Sequence, residues 1–157
     1  MNRIELCITA SLAEWERLGE RIRAFCLSQG IPEEDTGRIL LACEEWIVNI
    51  IRHGYGEGAA GSVQITLELT EHKQPEPDTL ENLDQGSGVR RLIVTITDEA
   101  QSFDPLQHPD PDLTLPLEQR ALGGLGIWLM KQSMNQVVYE RKEERNVLRM
   151  VKSCRAE

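Results

Sequence analysis

The chain of 157 residues has no apolar run near the length of a membrane span and no charged–apolar–small segment at its start. The first lack argues against a spanning helix and the second against a secretory signal, so the expected location is the cytoplasm. The four cysteines, Cys7, Cys26, Cys43 and Cys154, form no C-x-x-C pair and have no histidine at zinc spacing. They are expected as small core residues in a reducing compartment, not as a disulfide framework or structural metal site. Positive charge is scarce: 17 Lys and Arg against 26 Asp and Glu leave a net charge of −9. No Lys/Arg patch stands out, so nucleic acid is not the expected partner. A protein or a small molecule is, and an ATP-type ligand would need local positive charge, backbone amides or a metal to offset the acidic field. There is no internal repeat, and the length suits one domain over residues 1–157 with a core that needs no staples.

What is present reads as alternating strands and amphipathic helices. Residues 3–9 alternate as a strand. Ser11 with Glu14 forms a capping box, and Leu12, Trp15, Leu18, Ile22, Phe25 and Cys26 make the apolar stripe of a first helix that ends at Gly30. A second helix is predicted from Pro32 to about His53, with acids in its first turn and Gly54 and Gly56 as its stop. Residues 62–69 and 91–98 alternate as strands, the latter the most apolar and therefore expected near the centre of the sheet. Between them, residues 71–88 are polar with Pro75, Pro77, Gly86 and Gly88, and read as a long mobile loop. Residues 99–122 are Pro-rich and acidic with little periodicity, and a loop of that length in a compact domain is usually functional or disordered. A helix follows from Gly126, then a closing hairpin turned at Glu143-Glu144. Strands fall in adjacent pairs, so the expected fold is α+β: a two-layer sandwich whose mixed, mostly antiparallel sheet is covered on one face by helices.

Three stretches carry groups suited to chemistry. Glu45, Asn49 and His53 follow at i, i+4, i+8 along the edge of the second helix's apolar face. A carboxylate can take a proton, a carboxamide oxygen can hold a hard cation such as Mg²⁺, and an imidazole can orient an anion. The plainer reading is a solvated helix edge. Asp98 is the first polar residue after an apolar strand, either an acceptor for an exocyclic amine or a turn residue that ends the strand. Gly123-Gly124-Leu125-Gly126 opens a helix whose free N–H groups suit an anion. It has neither the Gly-Lys-Ser/Thr ending of a Walker loop nor the strand just before it that a dinucleotide fold requires.

In this order and spacing, the three stretches resemble the ATP-binding fold of the GHKL superfamily (gyrase, Hsp90, histidine kinases, MutL). Within it they resemble the anti-sigma factor serine kinases of bacterial partner-switching systems. Glu45-x-x-x-Asn49 followed by His53-Gly54-Tyr55 resembles the N-box. Asp98 through Phe103-Asp104-Pro105 resembles the G1 region. Gly124-Leu125-Gly126-Ile127 with Leu129 and Met130, then Tyr139, resembles the G2 region and the tail behind it. The resemblance covers nearly the whole chain and implies ATP and Mg²⁺ as ligands. Asn49 would hold Mg²⁺, Glu45 would be the general base toward a serine hydroxyl, and Asp98 would bind the adenine amino group. Gly124 and Gly126 would line the phosphates, with the loop over residues 99–123 as the ATP lid. His53 and Arg52 would lie at the phosphate end, and Arg120 would be within reach of the γ-phosphate. The implied partners are a sigma factor, an anti-anti-sigma antagonist phosphorylated on serine, and a second copy of the chain, for which Trp15 is a candidate contact that could equally be core. One departure stands out. The family has glycine two residues after the adenine-binding Asp, and this chain has Ala100. Its methyl group would face the base, and it would be strained if the backbone there needed φ > 0. That leaves a second reading, a module on the same scaffold that sequesters a partner without transferring phosphate. A histidine-kinase fragment fits less well, because no helical segment with a phospho-accepting His precedes the ATP fold.

Overall fold

A computed structural model describes residues 1–56, 58–72, 89–119 and 124–155. The elements run β1 (Arg3–Thr9), α1 (Trp15–Ser28), α2 (Glu33–Asn49), a π-helical segment (Ile50–Gly56), β2 (Ser62–His72), β3 (Val89–Asp98), α3 (Leu125–Ser133), β4 (Gln136–Lys142) and β5 (Arg145–Cys154). The five strands form one sheet in the order β1-β2-β3-β5-β4, and every pairing is antiparallel. The most apolar strand, β3, is at its centre, as the sequence predicts. The hairpin turn at Glu143-Glu144 is also as predicted, with both residues at positive φ of 50° and 63°.

Period-2 alternation puts Val63, Ile65, Leu67 and Leu69 of β2, Leu92, Val94 and Ile96 of β3, and Leu148 and Met150 of β5 on one face, all buried. They meet Leu18, Ile22, Phe25 and Cys26 of α1 and Ile39, Cys43, Trp46 and Ile47 of α2. Each fully buried aliphatic side chain contributes about 1.5–3 kcal/mol to the two-layer packing. Cys26, Cys43 and Cys154 belong to this core, whereas Cys7 is exposed. Burial pushes the Cys26 thiol up to about 12 and raises that of Cys43 further, so neither is a thiolate at neutral pH. Trp15 packs in part against the same core. Two inward-facing polar residues interrupt β5, Asn146 and Lys152. Lys152 Nζ lies 3.3 Å from Asp35 in the first turn of α2, which ties the sheet to the start of that helix.

Three boundaries differ from the sequence reading. The first helical stretch begins as a 3₁₀ turn over Leu12–Glu14, and the capping interactions are offset: Ser11 Oγ accepts from the Ala13 N–H and Glu14 from the Thr9 N–H. β2 extends to His72, and Glu71 pairs opposite Arg90, so the loop expected from residue 71 starts later; its residues 73–88 lie outside the described ones. The third difference concerns the site. The α-helix stops at Asn49, and the chain continues as π-helix through Gly56. A π turn takes more residues than an α turn, so His53 does not continue the i, i+4 row of Glu45 and Asn49. Tyr55 anchors this segment. Its hydroxyl donates to the Ser62 carbonyl at 2.9 Å and accepts from the Glu99 N–H at 2.8 Å, and a Cβ at Gly61 would lie 2.6 Å from its ring.

Candidate functional site

The end of α2, the π-helical segment, the end of β3, the loop after it and the start of α3 enclose a cavity of about 370 Å³. Asn49, His53, Asp98 and Gly124 all line it. Glu45 and Gly126 lie beside it against each other: a Cβ at Gly126 would collide with Glu45 Oε2. Glycine at the second residue of α3 is therefore what lets the α2 carboxylate reach the start of that helix. Arg52 is exposed and outside the cavity lining, while Arg120 and Gly123 lie outside the described residues.

Asp98 is 2 % exposed. Its Oδ1 accepts from the Ala100 N–H and from Asn146 Nδ2, both at 2.9 Å. Its Oδ2 is buried with no hydrogen-bond partner. A buried carboxylate oxygen left in this state is costly unless a donor, from ligand or water, meets it or the group takes up a proton. Burial raises the Asp98 carboxyl above the ordinary range, against the opposing pull of Asn146, the Ala100 N–H and Arg141. Burial also raises Glu45, with neighbouring Glu44 adding to the effect. A carboxyl raised in this way is the better proton acceptor near neutral pH.

The walls are flat and apolar. Trp46 stacks on Phe103 with ring centroids 6.2 Å apart and planes at 25°, and Phe103 meets His108 at 6.3 Å. The His108 ring sits on Gly124, where a Cβ would lie 2.9 Å from its Cε1. Gly124 has φ +84° as the N-cap of α3, a conformation that favours glycine. The loop after β3 is held down along its length: Arg141 Nη1 donates to the Ala100 carbonyl at 2.7 Å, and Lys131 Nζ meets Asp110 at 2.5 Å.

Ala100 lines the cavity, but its backbone is not strained. Among the described residues other than glycine, only Glu143 and Glu144 have positive φ. Its methyl group instead fills the space over Gly54, where a Cβ would lie 3.0 Å away. Asn146, Trp46, Phe103 and His108 were not read from the sequence as site residues. Asn146 carried one signal, a carboxamide at an inward position of an alternating strand. Trp46 read as core, because its spacing on α2 is that of core residues.

This arrangement offers an aromatic, largely apolar cavity, a lining aspartate whose second oxygen is buried without a partner, and glycine at a helix N-terminus. It suits a planar base that carries an amine and an anion. The family profile of the histidine kinase-like ATPase domain matches residues 8–152. The serine/threonine-protein kinase BtrW of Bordetella bronchiseptica is 26% identical over 110 residues, which is 70% of this chain and 65% of that protein. The chain thus spans less than two thirds of this curated relative's length. The crystal structure of the RsbU and RsbW domains of Rv1364c from Mycobacterium tuberculosis superposes over 100% of this chain and 34% of that one, with TM-score 0.60 and 9% identity. At that identity the superposition speaks for the fold. The family match bears out the resemblance to the GHKL superfamily, and the curated relative is itself a serine/threonine-protein kinase.

Proposed function

Since the chain belongs to the histidine kinase-like ATPase domain family, we propose that it is an ATP- and Mg²⁺-dependent serine/threonine protein kinase. It phosphorylates a serine on an anti-anti-sigma antagonist and sequesters a sigma factor. The observation that carries the nucleotide part is Asp98 Oδ2, buried and without a partner in the wall of a cavity that Asn49 and Gly124 also line. Asp98 accepts a hydrogen bond from the adenine amine, and the Trp46–Phe103 wall takes the ring. Gly124 and Gly126, at the start of α3, are the residues to line the phosphates, with His108 and the Glu45 carboxylate as their present neighbours. Asn49 and His53 line the same cavity, and Asn49 is the residue that would hold Mg²⁺, which would supply charge neutralisation for the phosphates. Glu45, one helical turn before Asn49, takes the proton of the attacking serine hydroxyl. The loop from residue 99 acts as the lid that keeps water from competing with that hydroxyl. The protein works in the cytoplasm and as a homodimer, with protein partners. Among the described residues no helix is long and apolar enough to cross a membrane.

A sequestering module without phosphate transfer is the second reading, favoured by the Ala100 methyl in the cavity lining. Calorimetry with Mg²⁺ and ATP on the wild type, Asn49→Ala and Ala100→Gly separates the two. Under the kinase reading the wild type binds and Asn49→Ala loses at least about tenfold in affinity. Radiolabelled transfer to the antagonist then disappears in Glu45→Ala while ATP binding remains. No binding at millimolar ATP by either the wild type or Ala100→Gly rejects the kinase and leaves the module.

A further inference from the structure

Asn146 stands at the inward-facing second position of β5 and is 3 % exposed. Its amide nitrogen donates to Asp98 Oδ1 at 2.9 Å, to the Gln101 carbonyl at 3.0 Å and to the Ala100 carbonyl at 3.3 Å. Its amide oxygen accepts from the Tyr139 hydroxyl at 2.6 Å and from the Phe103 N–H at 3.4 Å. This set of partners orients the amide, because the reverse orientation would set its oxygen against two carbonyls and a carboxylate. Three of the five bonds go to residues 100–103, where the loop leaves β3, and Phe103 is the residue stacked on Trp46. Arg141 also serves the Ala100 carbonyl. The Gln101 carbonyl and one of the two donors on Asp98 Oδ1 depend on Asn146.

We propose that Asn146 is a specificity-determining positioning residue. By binding Asp98 and residues 100–103 into one hydrogen-bonded unit, it aims Asp98 Oδ2 as an acceptor for a 6-amino purine and couples that aim to the seating of Phe103 on Trp46. The inference rests on the nucleotide reading above. With Oδ1 engaged by Ala100 N–H and Asn146, the carboxylate has one rotation and one free acceptor. With an aliphatic side chain at 146, Oδ1 keeps a single donor and the carboxylate can rotate. In its protonated form it can then donate to the oxygen of a 6-oxo purine. Selection between bases therefore weakens, not affinity alone.

The test is calorimetric titration of the full chain with the Mg²⁺ complexes of ATP and ITP, which differ in the 6-amino and 6-oxo groups. The wild type prefers ATP. Asn146→Leu, similar in shape, lowers the ATP-to-ITP affinity ratio by at least about tenfold. Tyr139→Phe, which removes the shortest bond to the amide oxygen along with a 3.4 Å hydroxyl contact to Ser102, lowers it by about threefold. General loosening of the fold would weaken both nucleotides alike and leave the ratio unchanged. If Asn146→Leu binds ATP with the wild-type ratio, the inference is overturned and the nucleotide site stands. If the wild type binds neither nucleotide, the nucleotide reading falls and this inference falls with it. Should Asn146→Leu fail to fold, Tyr139→Phe decides, and an unchanged ratio there rejects the inference.

Discussion

Asp98 concentrates a conflict between stability and binding. Burial raises its carboxyl, so the folded state holds the proton more tightly than the unfolded chain. The resulting stability is present at low pH and is lost as pH rises through the raised value. On the proposed reading adenine meets the ionised form, so ATP affinity is expected to run the opposite way and to rise with pH over the same window, above the ordinary Asp range. Asp98→Asn separates the two effects. Its side-chain oxygen can still accept from the Ala100 N–H and Asn146, while its amide donor meets the cavity. Thermal unfolding followed from acid to neutral pH is expected to lose the decline due to this group. Calorimetry is expected to show ATP binding weakened about tenfold or more and ITP binding retained. A variant that kept wild-type ATP affinity would remove Asp98 from base recognition.

The elements supply positions that single residues do not. The π-helical turn after Asn49 is held by Tyr55 between the start of β2 and the residue after β3, and it brings Gly54 under Ala100. Ala100, the departure from the family's glycine, is thereby matched to Gly54 in contact, without backbone strain. The pair makes a double-mutant cycle. Gly54→Ala alone is expected to cost about 1–3 kcal/mol by overpacking in urea unfolding, and adding Ala100→Gly is expected to restore much of it. Additive losses would show that the contact is not the source. Packing of α3 against α2 makes a similar demand at Gly126. Gly126→Ala displaces the Glu45 carboxylate, so phosphate transfer is expected to fall at least about tenfold, with a smaller change in ATP affinity. Equal losses in binding and transfer would instead assign Gly126 to the phosphates alone.

At the scale of the molecule, apolar packing joins the two layers, and among the described residues an enclosed ion pair, Lys152 of β5 with Asp35 of α2, adds to it. The side chain of Lys152 is 8 % exposed. Asp35→Ala leaves that ammonium without its carboxylate and is expected to destabilise by about 3 kcal/mol in chemical denaturation. Lys152→Met, which removes the buried charge itself, is expected to cost clearly less. A result in the reverse order would mean that the pair contributes little.

The sequence by itself determined the element types, the central place of β3, the closing hairpin and, within the cavity lining, Asn49, His53, Asp98 and Gly124. The reason is that period-2 and helical spacing decide which side chains share a face, and Asn49 and Asp98 stand at the ends of such faces. It also carried the family resemblance in Glu45, Asn49, Asp98 and the glycines. Only the tertiary structure decided how those ends meet. Asn146 is far from Asp98 in the chain and reaches it because β3 and β5 pair in the register that sets Asp98 opposite Asn146. The π turn that moves His53 off its helical row is fixed by the Tyr55 contacts across the fold, which no local propensity encodes. Trp46 has the spacing of a core residue and became a wall of the cavity because the loop after β3 folds back over it. Register and loop placement are set by long-range packing, so these contacts were legible only once the chain was folded.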